Sequence, residues 1–407
     1  MSAPEVAITG WGLVTPAGSG AGANWDRLLA GGSCATRDET LRGEPVDITC
    51  RVCDVDPEAL LGGFQAWQLE RFVQLAVIAA RQARDDAGLD PATWDGARVG
   101  VVLGNSLGGV QALTRAQEVM RGAGAAAVSP LLLPRFLPNM AAGYVAIDLG
   151  AHGPTQVIAT ACASGATAIG VARDLLRRHT CDLVLAGGTE SALTPLVMAG
   201  LYRMGALSRR VSRPAAAARP FDADRDGFVA AEGAAVLVLE RVADARARGA
   251  RRRAVVRGYG AASDAYHATA PEPGGKGIEL ALRAALADAG LAGGDVDHVN
   301  AHGTGTPLGD LAEAQALHRV LGPRPAVTST KGVTGHALAA AGAMEAAYAA
   351  LAIEQQCVPP TANLRRPDPR LPIDVVRGAP RSMPIEVAVS TSLGFGGHNA
   401  ALVLTAG

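Results

Sequence analysis

The order of apolar and polar residues along the chain predicts alternating buried strands and amphipathic helices. Uninterrupted apolar runs predict strands over residues 6–12, 98–104 and 182–188. Apolar residues at helical spacing predict a helix over residues 71–87, and Gly88 follows it as a C-cap. Residues 30–61 have the composition of a loop. This alternation is typical of an α/β protein.

The second half of the chain repeats the pattern of the first. Residues 255–260 read Val-Val-Arg-Gly-Tyr-Gly and echo Ala-Ile-Thr-Gly-Trp-Gly at residues 7–12. The helix predicted over residues 278–288 ends in Ala-Gly-Leu, as the first one does. We therefore expect a duplicated α/β unit with mostly parallel strands, divided into residues 1–250 and 251–407. The strand ends of both halves would meet at one shared cleft.

Composition and charge exclude several classes of function. The chain has 407 residues and a formal net charge of −1, which argues against a nucleic-acid partner. Residues 10–15 lack the third glycine of a dinucleotide fingerprint, because residue 15 is threonine. No signal peptide is visible, and the alanine-rich residues 337–353 are too few and too polar to cross a membrane. We expect a cytoplasmic protein with no membrane partner.

The six cysteines are too sparse for a disulfide framework and suit a reducing compartment. Cys50 and Cys53 form a lone CxxC pair. Because no second pair follows, free thiols are favoured over a zinc site, and we expect no metal.

Two arginine clusters are open to two interpretations. One lies in residues 241–253, and the other consists of Arg203, Arg209, Arg210 and Arg213. Each is explained by a solvated surface or by contact with an acidic partner.

Cys162 is the candidate nucleophile. It lies between an apolar run that predicts a strand and residues 163–178, which have helical spacing. A cysteine at such a turn faces the positive end of the helix dipole, which favours the thiolate. A buried structural cysteine at a strand end is the alternative interpretation.

Three glycine-rich turns follow apolar runs in the second half. They span residues 300–307, 329–336 and 392–399, and the first two contain His302 and His336. A single histidine at a strand end is usually structural, but two such turns together with a candidate nucleophile indicate a catalytic set.

The chain resembles the β-ketoacyl-acyl-carrier-protein synthases, the condensing enzymes of the thiolase superfamily. The resemblance covers nearly the whole chain. Its motifs are residues 6–12, 103–109, 160–165, 219–233 (Arg-Pro-Phe-Asp to Glu-Gly), 264–267 (Asp-Ala-Tyr-His), the two histidine turns and 394–399. The match is closest to the elongating kind, with a Cys-His-His site. It implies a thiolase-like duplicated αβαβα layered fold with two pseudo-symmetric halves.

The resemblance implies a role for each catalytic residue. Cys162 would hold the acyl chain as a thioester, while His302 and His336 donate hydrogen bonds to the enolate formed when malonyl loses CO2. The backbone N–H groups of Cys162 and Phe395 would form the oxyanion hole. The same resemblance pairs Lys331 with Glu345, which orders the histidines.

Substrate-binding residues are also implied. Thr304 and Thr306, with Thr269, resemble threonines that bind the phosphopantetheine arm. Phe395, between the flexible Gly394 and Gly396, resembles the gate of the acyl pocket. Leu107 and Leu132 match positions that line this pocket, although plain core packing explains them equally well.

The resemblance implies an acyl carrier protein as partner and no separate cofactor. It also implies a homodimer or a heterodimer with a chain-length-factor paralogue. Ala163 and the sequence of residues 390–394 depart from the fatty-acid pattern and favour a type II polyketide ketosynthase, with housekeeping fatty-acid elongation as the alternative.

Other members of the superfamily fit less well. A non-catalytic chain-length-factor subunit typically lacks the active cysteine. A degradative thiolase needs a second cysteine near residues 395–398, where this chain has none. Starter enzymes that use acyl-CoA pair the cysteine with His and Asn, whereas this chain has a second histidine.

Overall fold

The computed structural model describes residues 3–407. The helices are α1 (Ala21–Ala30), α2 (Pro57–Leu61), α3 (Gly63–Gln68), α4 (Arg71–Asp86), α5 (Val110–Ala123), α6 (Leu132–Phe136), α7 (Met140–Leu149), α8 (Ser164–Arg177), α9 (Pro195–Arg203), α10 (Val242–Ala247), α11 (Lys276–Ala289), α12 (Pro307–Leu321), α13 (Lys331–Thr334) and α14 (Ala341–Gln355). The strands are β1 (Val6–Thr15), β2 (Gly18–Ser19), β3 (Thr36–Arg37), β4 (Ile48–Thr49), β5 (Val99–Gly104), β6 (Thr155–Ile158), β7 (Leu183–Glu190), β8 (Gly233–Arg241), β9 (Ala254–Ser263), β10 (His298–Asn300), β11 (Ala326–Thr328), β12 (Cys357–Val358), β13 (Asp374–Val375), β14 (Arg381–Ser382), β15 (Val387–Gly394) and β16 (His398–Thr405).

The main strands are hydrogen-bonded in the order β13-β11-β10-β15-β16-β9-β1-β8-β7-β5-β6. The outer strands pair in parallel. From β15 to β7 every neighbouring pair is antiparallel. The prediction of mostly parallel strands is therefore wrong, because β8 and β16 each run back beside the strand that precedes them in the chain.

The strand order confirms the internal duplication. Strands β1, β8, β7, β5 and β6 of the first half occupy the places of β9, β16, β15, β10 and β11 in the second. The glycines of the repeated motif have the same function in both halves. A Cβ on Gly10 would lie 2.5 Å from the Ala83 carbonyl oxygen of α4, and one on Gly258 would lie 2.2 Å from that of Ala285 in α11. The absence of a side chain lets each helix lie directly on its strand.

Three large apolar cores pack the helices against the strands. Helices α4 and α7 cover one face of the first half, and α11 and α12 cover one face of the second. Helices α8 and α14 lie between the halves and contact strands of both. Residues Ala341–Ile353 of α14 are all buried. The duplicated layered α/β arrangement is thus confirmed.

The two central helices contact each other through small residues. A Cβ on Gly165 would lie 2.8 Å from the Ala343 nitrogen, and one on Gly342 would lie 2.9 Å from the Ala166 nitrogen. Both helices follow a 3₁₀ turn that begins with a non-glycine residue of positive φ, at Ala161 (49°) and at Leu338 (47°).

Within residues 3–407, no helix combines the length and the apolar character needed to traverse a lipid bilayer.

The arginines of residues 241–253 are largely built into the structure. Arg241 is buried and donates to the carbonyls of Leu176 and Cys181. Arg253 pairs with Asp86 and stacks over the Trp11 ring at 4.2 Å. These contacts favour the structural interpretation of this cluster.

Candidate active site

The turn after β6 presents Cys162 at the start of the central helix α8. Ala161 has φ of 49°, and Ser164 braces the turn by donating from Oγ to the Ala161 carbonyl at 2.6 Å and accepting the Thr160 N–H at 2.9 Å. Cys162 is 7 % exposed. The cysteine is therefore nearly enclosed by its neighbours and lines one cavity.

Burial dominates the electrostatics of the Cys162 thiol. Desolvation raises its pKa to about 12, although the charge of Lys331 and the backbone N–H of Phe395, which bonds to the sulfur, oppose the rise. Burial therefore outweighs the thiolate-favouring helix end that the sequence predicted. The thiol form prevails at neutral pH.

The hairpin between β15 and β16 closes over this turn. A Cβ on Gly394 would lie 2.4 Å from the Thr160 carbonyl oxygen and 3.2 Å from the Cys162 nitrogen. Gly396 has φ of 85°, a left-handed conformation that favours glycine. Phe395 is half-buried between them. The hairpin thus brings the backbone N–H of Phe395 beside the Cys162 sulfur. Its role in an oxyanion hole stays a prediction.

The two histidines are brought together from separate turns. His302 follows β10 and His336 follows α13, and their rings meet edge to face with centroids 5.2 Å apart. The backbone N–H of His336 donates to the Val229 carbonyl at 2.8 Å, and Phe228 packs edge-on against the His336 ring with centroids 5.0 Å apart. The two rings therefore pack against each other at the cavity, and the backbone of His336 is anchored beside them.

Lys331 sets the tautomer of His302. Its ammonium is buried in an ion pair with Glu345, and its Nζ lies 3.4 Å from His302 Nδ1. An ammonium has only donors, so Nδ1 accepts and the His302 proton lies on Nε2. The pair predicted from the resemblance is thus in contact with the first histidine.

Burial keeps the histidines neutral and keeps Glu345 weakly acidic. Desolvation, with the charge of Lys331, lowers the pKa of His302 and of His336 well below the usual value. Burial raises the pKa of Glu345 to about 7, and Lys331 limits the rise. Each neutral imidazole can therefore donate one N–H bond without carrying charge.

A cavity of about 390 Å³ joins these groups. Its walls include the predicted residues Cys162, His302, His336, Thr269, Thr304, Thr306, Gly394 and Phe395. The hydroxyls of Thr304 and Thr306 are 3.1 Å apart. The structure thus brings most of the predicted site to one cavity.

Five predicted residues do not line this cavity. Lys331 and Glu345 are buried behind the histidines, and Gly396 lies beside the gate. Leu132 lines a separate depression with Arg115 and Arg135. Leu107 is 38 % exposed. The assignment of the two leucines to an acyl pocket stays a prediction.

Glu313 is a site residue that the sequence reasoning missed. Its carboxylate accepts the N–H groups of His302 at 2.8 Å and Gly303 at 2.7 Å, and the Thr391 hydroxyl at 2.7 Å. Glu313 is fully buried in α12, one turn after the equally buried Asp310. The sequence did contain a signal for it, because Asp310 and Glu313 interrupt the apolar face of a helix.

The CxxC pair has no bridge. Cys50 is buried, Cys53 is exposed, and both are free. Within residues 3–407, no group of three or more His, Cys, Asp or Glu side chains is arranged to hold a metal ion.

Comparison with known proteins gives a consistent result. Residues 3–245 match the family described as "Beta-ketoacyl synthase, N-terminal domain", and residues 253–365 match "Beta-ketoacyl synthase, C-terminal domain". The chain is 41 % identical over 405 residues to the "3-oxoacyl-[acyl-carrier-protein] synthase 2" of Synechocystis sp., covering 98 % of this chain and 97 % of that protein.

Solved structures are also similar over the full length. The ishigamide ketosynthase/chain length factor superposes with a TM-score of 0.94 at 34 % identity, covering 100 % of both chains. A type II polyketide ketosynthase in complex with its acyl-carrier protein and bound to the hexaketide gives 0.92 at 33 % identity, again with 100 % of both chains covered. The predicted thiolase-like ketosynthase fold is confirmed.

Proposed function

This chain belongs to the β-ketoacyl synthase family of acyltransferases, and we propose that it condenses an acyl group held on Cys162 with malonyl on an acyl carrier protein. The observation that carries the proposal is the convergence of Cys162, His302 and His336 on one cavity. The first two come from opposite halves of the fold.

The first step transfers the acyl chain to the enzyme. The Cys162 sulfur attacks the carbonyl of an acyl thioester, and the thioester bond to the carrier breaks. The thiol proton ends on the released carrier thiol, so that charge is conserved. The N–H groups of Cys162 and Phe395 stabilise the tetrahedral oxyanion.

The second step forms a carbon–carbon bond. The malonyl thioester loses CO2, and the electron pair of the broken bond moves onto its carbonyl oxygen as an enolate. Nε2–H of His302, with the His336 ring beside it, donates to that oxygen. The enolate carbon attacks the acyl-Cys162 carbonyl, and the Cys162 thiolate leaves and takes up a proton.

The cavity and its mouth suit a carrier protein with a phosphopantetheine arm. Thr269, Thr304 and Thr306 place hydroxyls along the cavity. Met204 lines its outer part, beside Arg203, and Arg209 stacks on Tyr202. We assign the Arg203–Arg213 cluster to docking of the acidic carrier protein.

The pathway assignment favours a specialised type II polyketide system. The departures at Ala163 and residues 390–394 support it, as do the polyketide ketosynthases among the similar structures. Housekeeping fatty-acid elongation is the second candidate, because the Synechocystis relative, a 3-oxoacyl-ACP synthase, has the higher identity.

Exposed apolar groups on the first half support a dimer. Strand β6 is at the end of the sheet and leaves one edge without a strand partner among the described residues. Helix α5 exposes Leu113, Val119 and Met120. We propose a homodimer, or a heterodimer with a chain-length-factor paralogue, that covers this region.

Intact-protein mass after mixing with a panel of acyl carrier proteins tests the proposal. Each acyl group that loads adds its own mass, and Cys162→Ala should stay unmodified. Loading of saturated long chains by the protein alone would favour fatty-acid elongation. Loading of β-keto chains only, or only with a second subunit, would support the polyketide assignment. Equal loading of the variant would refute Cys162 as the nucleophile.

A further inference from the structure

Glu190 is a fully buried carboxylate near the nucleophile that the reaction outlined above does not use. It is the last residue of β7, and burial raises its pKa to about 7. Its charge acts on the neighbouring Cys162 thiol and raises the pKa of that thiol.

The groups that face Glu190 are all donors from one turn. Asn105 Nδ2 donates to it at 3.2 Å and the Ser106 N–H at 3.1 Å, and the Ser106 hydroxyl and the Leu107 N–H also donate to it. A carboxylate is acceptor-only, so it satisfies this whole set.

The turn held by Glu190 leads into a helix that packs beside the nucleophile. It covers residues 105–109, and the Gly108 N–H closes it on Asn105 Oδ1 at 2.8 Å. Helix α5 then begins at Val110, which packs against the apolar cluster of Cys162, Ala192 and Leu338. An acyl chain on the Cys162 sulfur must contact this cluster, so the position of the turn determines the space available to the chain.

We propose that Glu190 is a positioning residue that fixes, through the turn at residues 105–109, the apolar wall against which Cys162 accepts its acyl chain. The inference rests on the proposed acyl transfer and adds a determinant of chain selectivity to it. Glu190 has no part in the decarboxylation at His302 and His336.

Glu190→Gln tests the proposal, because it keeps the shape but turns an amide NH2 toward a set of donors. The initial rate of Cys162 acylation is measured by intact mass with butyryl-, octanoyl- and palmitoyl-carrier protein. We expect a fall of roughly tenfold for palmitoyl and a smaller one for butyryl, with CO2 release from malonyl-carrier protein within about twofold of wild type.

Two further variants keep the test decisive. Ser106→Ala removes one donor at a half-buried position and should shift the palmitoyl-to-butyryl ratio in the same direction by about threefold, even where Glu190→Gln fails to fold. Glu240→Gln is the matched control, since Glu240 is buried at the opposite end of the β7–β8 strand pair, where it pairs with Arg248. It should leave the ratio unchanged.

The outcomes separate the two proposals. An unchanged ratio in Glu190→Gln and Ser106→Ala, or an equal change in Glu240→Gln, overturns the positioning role. An equal loss of acylation and CO2 release also overturns it. If no chain loads on wild-type Cys162, the proposed acyl transfer itself fails.

Discussion

The buried ion pair behind the histidines offers the sharpest test of how the site is built. Lys331 and Glu345 have side chains that are each 2 % exposed. Lys331→Met or Glu345→Met alone leaves one buried group without its partner. Breaking such a pair destabilises a protein by about 3–5 kcal/mol. The double variant removes both charges and fills the space with flexible apolar side chains, so its free energy of unfolding should return close to the wild-type value.

Activity should behave differently from stability. Both Lys331→Met and the double variant remove the donor that fixes the His302 ring and its Nε2–H tautomer. We expect decarboxylation to fall by roughly tenfold to a hundredfold, the upper value matching the loss of one oxyanion donor. The double variant should therefore recover stability without recovering activity.

Two measurements decide the matter. Urea unfolding gives the stability of the four proteins, and CO2 release from malonyl-carrier protein without an acyl donor gives their activity. Recovery of both properties in the double variant would refute the positioning role of Lys331. If the double variant is as unstable as the single variants, the instability of the single variants does not come from an unpaired buried group, and this reasoning is refuted.

Three more predictions concern the same cavity. Burial raises the pKa of Cys162 to about 12, so its alkylation by iodoacetamide should accelerate about tenfold per pH unit up to about pH 10. The alkylated peptide is measured by mass. A plateau in the rate below about pH 9 would show that the helix end, and not burial, dominates the pKa of the thiol. Gly394→Ala places a Cβ 2.4 Å from the Thr160 carbonyl oxygen in the nucleophile turn and should lower turnover at least tenfold. Gly200→Ala is the control, because its Cβ would meet no atom within 4 Å, and it should leave turnover unchanged. Equal turnover of both variants would contradict the close approach at Gly394. His302→Ala and His336→Ala should each slow malonyl decarboxylation about a hundredfold while acyl loading persists, and loss of loading alone would reverse the assignment.

The elements and the repeat could be predicted from the sequence because they depend on local patterns. The predicted helix over residues 71–87 is observed as Arg71–Asp86, and Gly88 has φ of 63°. The Gly10 and Gly258 motifs fall on equivalent strands. Strand direction could not be predicted, because an apolar run is equally compatible with parallel and antiparallel neighbours.

The parts of the site that the sequence did not predict depend on contacts between residues far apart in the chain. Glu190 and Glu313 are acidic residues whose importance lies in the turns that donate to them, and no spacing in the sequence connects Glu190 with residues 105–109. The pKa of Cys162 shows the same limit. The helix end is visible locally, whereas the burial that overrides it comes from the whole fold.

The positive φ of Ala161, next to the nucleophile, could be taken as a requirement of catalysis, but the second half of the chain contains the same conformation. Leu338 has nearly the same φ, begins a 3₁₀ turn of the same length and leads into the other central helix. In that copy, Ala339 stands at the step that Cys162 occupies. The same turn is therefore present in both halves, and only the first carries a cysteine at this step. The bent backbone is therefore a feature of both halves of the fold, and at this step the two turns differ by the sulfur atom of Cys162.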